Sequence, residues 1–158
     1  MCIVIDLNTL SSVFDQTSQD HQDFAPVSHW VQNGKGFLVF GGTKYKIELQ
    51  RARRYLGLIL QLKKAQRAVE IDQEAVDTRE KAIISKTVGT DCDDQHIIAI
   101  LCVSGCKLVC SKDKRSYRFI KDKSNYKRRR KVPTIYCKPA HAKLLCDSNI
   151  TVLRNTKK

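Results

Sequence analysis

The sequence has neither paired cysteines nor a long apolar run, and each absence excludes a class of protein. Its seven cysteines are scattered and none belongs to a CxxC pair, the spacing that structural zinc sites commonly use. We interpret them as small buried thiols of a reducing compartment rather than as zinc ligands. No apolar run approaches the roughly 20 residues that span a bilayer, and no apolar core of a secretory signal is visible. We therefore expect a soluble, cytoplasmic protein without a membrane partner.

Acidic residues are few: 16 stand against 29 lysines and arginines, which gives a formal net charge of +13 over 158 residues. A basic excess of this size indicates a polyanionic partner, with nucleic acid first and an anionic membrane surface second. The alternative is that the charge serves solubility alone. The length fits one domain over residues 1–158 with one sizeable core.

Apolar runs alternate with helical periodicity along the chain. Strands are predicted at 2–5, 37–40, 107–110 and 150–153, with extended pieces at 69–72 and 134–137. Helices are predicted at 9–14, from Pro26 to Asn33, at 43–68, at 73–86 after a cap by Asp72, from Thr90 or Asp91 to 104, and at 140–145, with a polar loop at 15–24. This alternation predicts an α/β fold, a three-layer α/β/α sandwich around a mostly parallel sheet.

Two acids follow predicted strands directly. Asp6 ends "CIVID", and Asp113 comes three residues after the strand in "LVCSKD". In an open parallel sheet, ligands bind beyond the carboxyl ends of the strands. Both acids should therefore lie at the same edge of the sheet.

A third acid lies in "TDCDDQHIIAILC". A helical wheel started at Asp91 places Asp94 on the apolar stripe, Asp93 on its flank and His96 pointing away. The alternative is that these acids only complement the helix dipole. That alternative suits Asp91 and Asp93, whereas Asp94 faces the core and is interpreted as functional.

Glu48, in "KYKIELQRA", is the fourth acid. Taken alone, it is better explained as a surface partner of Arg51 three residues later. Four carboxylates in one cleft would repel each other and resist ionisation unless hard divalent cations neutralised them. Because oxygen ligands suit Mg²⁺ or Mn²⁺, either ion is the expected cofactor.

These motifs, in this order, resemble those of PIN-domain nucleases. The corresponding stretches are "IVIDLN", "KIEL", "DDQHIIAIL" and "LVCSKD", and the similarity covers about residues 2–153. The resemblance implies a hydrolase, a Mg²⁺- or Mn²⁺-dependent endoribonuclease. Asp6, Glu48, Asp94 and Asp113 would be its catalytic metal ligands, and Asn8 and Ser111 would support them by hydrogen bonds.

The family likeness also implies partners. Some members are toxins held by a cognate antitoxin, and dimers are frequent, so an antitoxin and a homodimer are expectations at that level. RNA is the expected substrate, with single-stranded DNA left open. The sequence departs from the family at Cys110, where threonine is common, and at Lys112 and Lys114, which flank Asp113 and leave it the least secure ligand.

A basic stretch at 112–131 carries eleven basic residues and two acids, interleaved with three aromatics, and a short basic tail ends the chain. Cations neutralise phosphates and aromatics stack on bases. The alternatives are a flexible solvated loop or the docking of an acidic antitoxin segment. The expected nucleic-acid contacts are Arg51, Arg53, Arg54, Lys114, Arg115, Arg118, Lys127, Arg128, Arg129 and Arg130.

A second functional class stays open on this sequence. A catalytically inactive PIN-like module that binds nucleic acid or a protein would need the basic stretch but not the acids. The two classes differ in which substitutions should abolish function: those of the acids in an enzyme, and those of the cations in a binding module.

Overall fold

Short apolar strands form a parallel sheet at the centre of the computed structural model, which describes residues 2–127 and 132–146. The strands are β1 (Cys2–Ile5), β2 (Phe37–Phe40), β3 (Ala68–Glu70), β4 (Leu108–Cys110) and β5 (Thr134–Tyr136). The α-helices are α1 (Leu10–Phe14), α2 (His21–Gln32), α3 (Thr43–Arg51), α4 (Arg53–Lys64), α5 (Gln73–Lys86), α6 (Gln95–Ser104) and α7 (Tyr117–Ile120). Turns of 3₁₀ helix occupy Leu7–Thr9, Lys123–Asn125 and Pro139–Leu144.

The sheet runs in the order β3-β2-β1-β4-β5, and every pairing in it is parallel. All four residues of β1 and all three of β4 are buried. Successive strand residues point to opposite faces, so both faces of the sheet are covered by helices. The predicted α/β class, with a central parallel sheet, is confirmed.

The strand order places a topological switch between β1 and β4. From β1 the chain adds β2 and β3 on one side, and it then crosses to add β4 and β5 on the other. The residues that follow β1 and β4 therefore flank the crevice in which open α/β sheets bind ligands. Asp6 and Ser111 are the first residues past these two strands.

Several predicted helix boundaries are wrong. Helix α2 begins at His21 instead of Pro26 and carries the proline inside it, because burial of Phe24 in the core outweighs the one hydrogen bond that proline forfeits. The predicted helix at 43–68 is two helices, since Ala52 leaves the helical conformation with φ −94° and ψ 59°. Helix α6 begins at Gln95, and 90–94 is non-helical.

Other local predictions are confirmed. Asp72 caps α5, and its Oδ1 accepts a 2.7 Å hydrogen bond from the Ala75 N–H. Gly42, with φ +80°, lies just before α3 and packs against α5. A Cβ atom at this position would lie 2.5 Å from Val76, so the predicted glycine turn does allow the two helices to approach closely. The strand predicted at 150–153 lies outside the described residues. Within the described part, no helix has the length and apolarity that crossing a bilayer requires.

Candidate metal centre at the sheet edge

Asp6 is fixed at the end of β1 by its neighbours. Its backbone N–H donates to the Cys110 carbonyl at 2.9 Å, which continues the β1–β4 pairing. Its Oδ2 accepts a 3.0 Å hydrogen bond from the Ser111 hydroxyl, and its Oδ1 accepts one of 3.3 Å from the backbone N–H of Asn8. Burial raises the pKa of Asp6, which is 3% exposed, and these hydrogen bonds partly oppose that rise. The carboxylate is therefore rigidly held.

Three further carboxyl groups gather beside the switch point. One oxygen each of Asp93, Asp94 and Asp113 lies within 4.8 Å of the others. Asp94 and Asp113 were expected to meet here, whereas Asp93 was assigned only to the helix dipole. Because α6 begins after Asp94, the 90–94 segment turns both Asp93 and Asp94 toward the loop after β4. These three residues are called the acidic trio below.

Asp94 is the least satisfied member of the acidic trio. It is 6% exposed, and its buried Oδ2 has no hydrogen-bond partner among the described residues. Burial first, and then the negative charge of Asp6, raise the pKa of Asp94 to about 6. Buried polar atoms nearly always have a partner, so an unpartnered oxygen amid like charges indicates a site made for a cation or a proton donor.

Asp113 already has a cationic partner. The Arg115 guanidinium donates from Nε to Oδ1 at 3.1 Å and from Nη2 to Oδ2 at 2.8 Å, and it also reaches Asp93 at 3.5 Å. These contacts lower the pKa of Asp113. Lys112, one of the two lysines that flank Asp113, donates instead to Asp20 at 2.7 Å. An ion at the acidic trio would compete with Arg115.

Glu48 lies beside His96 rather than in the acidic trio. Its Oε2 is 3.4 Å from the imidazole Nε2, close enough for an ion pair but not aligned for a hydrogen bond. The nearby imidazole lowers the pKa of Glu48. His96 is 3% exposed, so the expectation that it points away is wrong. Residues 96–101 of α6 are all buried, and this helix has no solvent face for His96 to occupy.

The donor set fits a hard divalent cation. The acidic trio and Asp6 offer only carboxylate oxygens, which Mg²⁺ and Mn²⁺ prefer, and Asp94 Oδ2 is free to coordinate. Ser111 would orient Asp6, as a supporting hydrogen bond to a ligand does. Asn8 contributes through its backbone N–H instead of its side chain. Glu48 as a ligand stays a prediction.

The predicted nucleic-acid contacts that the structure describes are exposed, but three of them are paired with acids. Arg54 pairs with Asp15 at 2.9 Å, Arg118 pairs with Asp91, and Arg115 pairs with Asp113. The other described cations of that set are Arg51, Arg53, Lys114 and Lys127. Arg128, Arg129 and Arg130 lie outside the described residues, as do the last basic residue of the stretch and the basic tail.

The aromatics of the basic stretch serve the fold. The Tyr117 hydroxyl donates to the Ser111 carbonyl at 2.7 Å, and the Tyr126 hydroxyl donates to the Ile120 carbonyl at 2.7 Å. Both rings, with Phe119, pack against the hydrophobic core. Residues 112–127 are therefore a partly helical segment whose aromatics pack on the core. Its cations stay the expected phosphate contacts.

Comparison with known proteins found no family match for this chain. A scan against protein-family models, a search of curated proteins and a search of solved structures each returned no match.

Proposed function

We propose that this chain is a Mg²⁺- or Mn²⁺-dependent phosphodiesterase, an endoribonuclease of the PIN-like type. The observation that carries the proposal is the unpartnered Oδ2 of buried Asp94, which lies in the acidic trio beside Asp6. Its place at the sheet's switch point supports the same conclusion.

Different residues of the chain would bind the metal ion and the RNA. Asp94, Asp113 and Asp6 would hold the ion, with Asp93 at the exposed rim and Glu48 as an additional predicted ligand. The bound ion would lower the pKa of a water and stabilise charge on the phosphodiester. Exposed cations beside the site would attract the RNA backbone.

Arg115 would have to change partner when the site is used. Its two hydrogen bonds to Asp113 neutralise that carboxylate in the metal-free protein. A phosphate group offers the same bidentate acceptor geometry as a carboxylate. When a metal ion binds Asp113, Arg115 would thus leave this carboxylate and bind a phosphate group of the substrate.

The same contact favours a second candidate function. A guanidinium seated on Asp113 is what a PIN-like module without catalysis would use in place of a metal. Such a module would bind nucleic acid or a protein through its cations. A toxin role, an antitoxin partner and a homodimer remain part of the proposal only through the family resemblance.

Cleavage of mixed RNA and single-stranded DNA, assayed with Mg²⁺, Mn²⁺ or EDTA, tests the proposal. Asp6→Asn keeps the shape of the side chain, so the fold should persist while RNA cleavage falls more than about 100-fold. Asp23→Asn, an exposed acid of α2, is the matched control and should cleave normally.

The outcome separates the two candidates. Wild-type rates in Asp6→Asn would show that the site is misplaced. RNA binding without cleavage, if lost when exposed arginines are neutralised and kept in Asp6→Asn, would establish the binding module instead.

A further inference from the structure

A cavity lies near the acidic trio. It is formed between α3 and α5 and has a volume of about 540 Å³, within the usual range for small-ligand sites. Glu48 lines this cavity, and Lys44, also in its wall, donates from Nζ to the Asp93 carbonyl at 2.8 Å. Lys44 therefore connects the cavity to the segment that carries Asp93 and Asp94.

Glu80 lies in this cavity with no partner. The residue is 9% exposed, and its carboxyl group makes no hydrogen bond or ion pair with any residue that the structure describes. Burial raises the pKa of Glu80. Its carboxyl oxygens are not among the fully buried side-chain atoms, so a ligand in the cavity can reach them and supply donors.

Each of the other two acids in the cavity has a close polar neighbour. Asp77 accepts at Oδ1 from the Thr43 N–H at 2.7 Å and at Oδ2 from the Thr43 hydroxyl at 2.5 Å, and so anchors the start of α3. Glu48 is next to His96. Glu80 is thus the carboxylate left to recognise a ligand.

Apolar and cationic side chains complete the cavity. Ile47 and Ile84 line it, and each is 44% exposed, so both offer apolar surface to a ligand. Arg51 and Lys81 also line it, and the side chain of neither forms a hydrogen bond or ion pair within the described ranges. A fitting ligand has a flat apolar body, a pair of donors and a negative group.

We propose that this cavity binds a guanine base of the RNA, next to the phosphodiester that is cut. Guanine N1–H and N2–H would donate to the two oxygens of Glu80, Ile47 and Ile84 would pack on the base, and Arg51 and Lys81 would contact a neighbouring phosphate. This proposal rests on the proposed nuclease function, whose substrate preference it names.

The donor pattern selects guanine among the four bases. Guanine alone presents two adjacent N–H donors on its pairing edge, which match the two oxygens of an ionised carboxylate. Adenine and cytosine each place an acceptor nitrogen beside their amino group, and uracil has one N–H between two carbonyls. Those bases would leave an oxygen of Glu80 unpaired or opposed by an acceptor, which is costly in a buried site.

Binding of mononucleotides to the full-length protein in EDTA tests the proposal without cleavage. Dissociation constants would be measured by NMR titration with guanosine, inosine and adenosine 5′-monophosphates. Inosine lacks only the N2 amino group and should bind about tenfold more weakly than guanosine, because one charge-assisted hydrogen bond is lost. Adenosine should bind more weakly still.

Two substitutions in one helix sharpen the test. Glu80→Gln replaces one acceptor oxygen with a donor and should remove the preference for guanosine over inosine. Glu74→Gln, at an exposed position of α5 away from this cavity, is the matched control and should keep it. Circular dichroism would confirm that both variants fold.

The wild-type comparison decides the proposal even if Glu80→Gln fails to fold. Equal affinities for guanosine and inosine monophosphates, or shifted resonances outside α3 and α5, would overturn it. If the preference for guanosine over inosine is absent while Asp6→Asn abolishes RNA cleavage, the guanine site is wrong and the nuclease proposal is supported. If the preference is present but the wild type cuts no nucleic acid, the pocket stands as a nucleotide site and the nuclease fails.

Discussion

Replacing Asp94 with asparagine should stabilise the metal-free protein at neutral and alkaline pH. The change keeps the side chain's shape but removes a carboxylate whose charged form is disfavoured by burial and by Asp6. These causes raise the pKa of Asp94 from 3.8 to about 6. At about 1.4 kcal/mol per pH unit, ionising Asp94 in the folded protein costs roughly 3 kcal/mol. Water near the site screens part of that cost, which leaves about 2 kcal/mol.

The pH dependence has a definite sign, because the pKa of Asp94 is higher in the folded than in the unfolded protein. Below about pH 4 the group is protonated in both states, and the substitution changes little. Between about pH 4 and 6 the unfolded chain loses the proton first, so the stability of the wild type falls as pH rises. Above about pH 7 the whole penalty is present, and the variant, which does not titrate, should gain its full advantage.

Thermal unfolding in EDTA at about pH 4 and pH 8 measures this effect. For a chain of this length, a gain of about 2 kcal/mol should raise the melting temperature by about 4–8 °C at the higher pH. Asp23→Asn, the exposed control, should change it by much less. Added Mn²⁺ should raise the melting temperature of the wild type and have little effect on Asp94→Asn. A variant no more stable than the wild type at pH 8 would show that burial and Asp6 do not destabilise the ionised form of Asp94.

Three further substitutions test the surroundings of the site. Ser111→Ala removes the donor to Asp6 Oδ2 and should lower Mn²⁺ affinity about 10- to 100-fold in a calorimetric titration. Arg115→Gln removes the guanidinium that competes for Asp113 and should raise Mn²⁺ affinity in the same titration. Asp72→Ala removes the α5 cap and should cost about 1 kcal/mol of unfolding free energy in urea while leaving Mn²⁺ affinity unchanged.

Each of these three predictions has a result that would contradict it. Unchanged Mn²⁺ affinity in Ser111→Ala would mean that Asp6 does not bind the ion. Weaker binding in Arg115→Gln would mean that the arginine assembles the site instead of occupying it. A loss of metal affinity in Asp72→Ala would show that the folding of α5 and the metal centre are coupled.

The sequence located the acids whose placement depends on strands. A run of four apolar residues followed by Asp6 predicts a buried strand, and the carboxyl end of that strand places Asp6 at the edge of a parallel sheet. Ser111 and Asp113 are placed at the same edge because they follow β4. Asp72 was recognisable as a cap because it stands just before a periodic helix. These features depend on local chemistry and on a topology with few alternatives.

Features that depend on packing between helices were missed. A helical wheel assumes a solvent face, but α6 is buried on all sides, so His96 was misplaced. Asp93 joins the acidic trio only because the 90–94 segment is non-helical. Glu80 has the spacing of an ordinary α5 residue, and its isolation follows from the way α3 crosses α5. Position was the available signal: His96 stands within the apolar run "HIIAIL", and Glu80 stands four residues after Val76 and three before Ile83, on the buried stripe of α5.

The most direct test of the metal centre is a crystal of the protein soaked in Mn²⁺ and measured for anomalous scattering. We expect a peak about 2 Å from oxygens of Asp94 and Asp113, with Asp6 adjacent and Arg115 turned away from Asp113. A fully soaked crystal with no peak among these carboxylates, or with Mn²⁺ bound elsewhere in the chain, would contradict it.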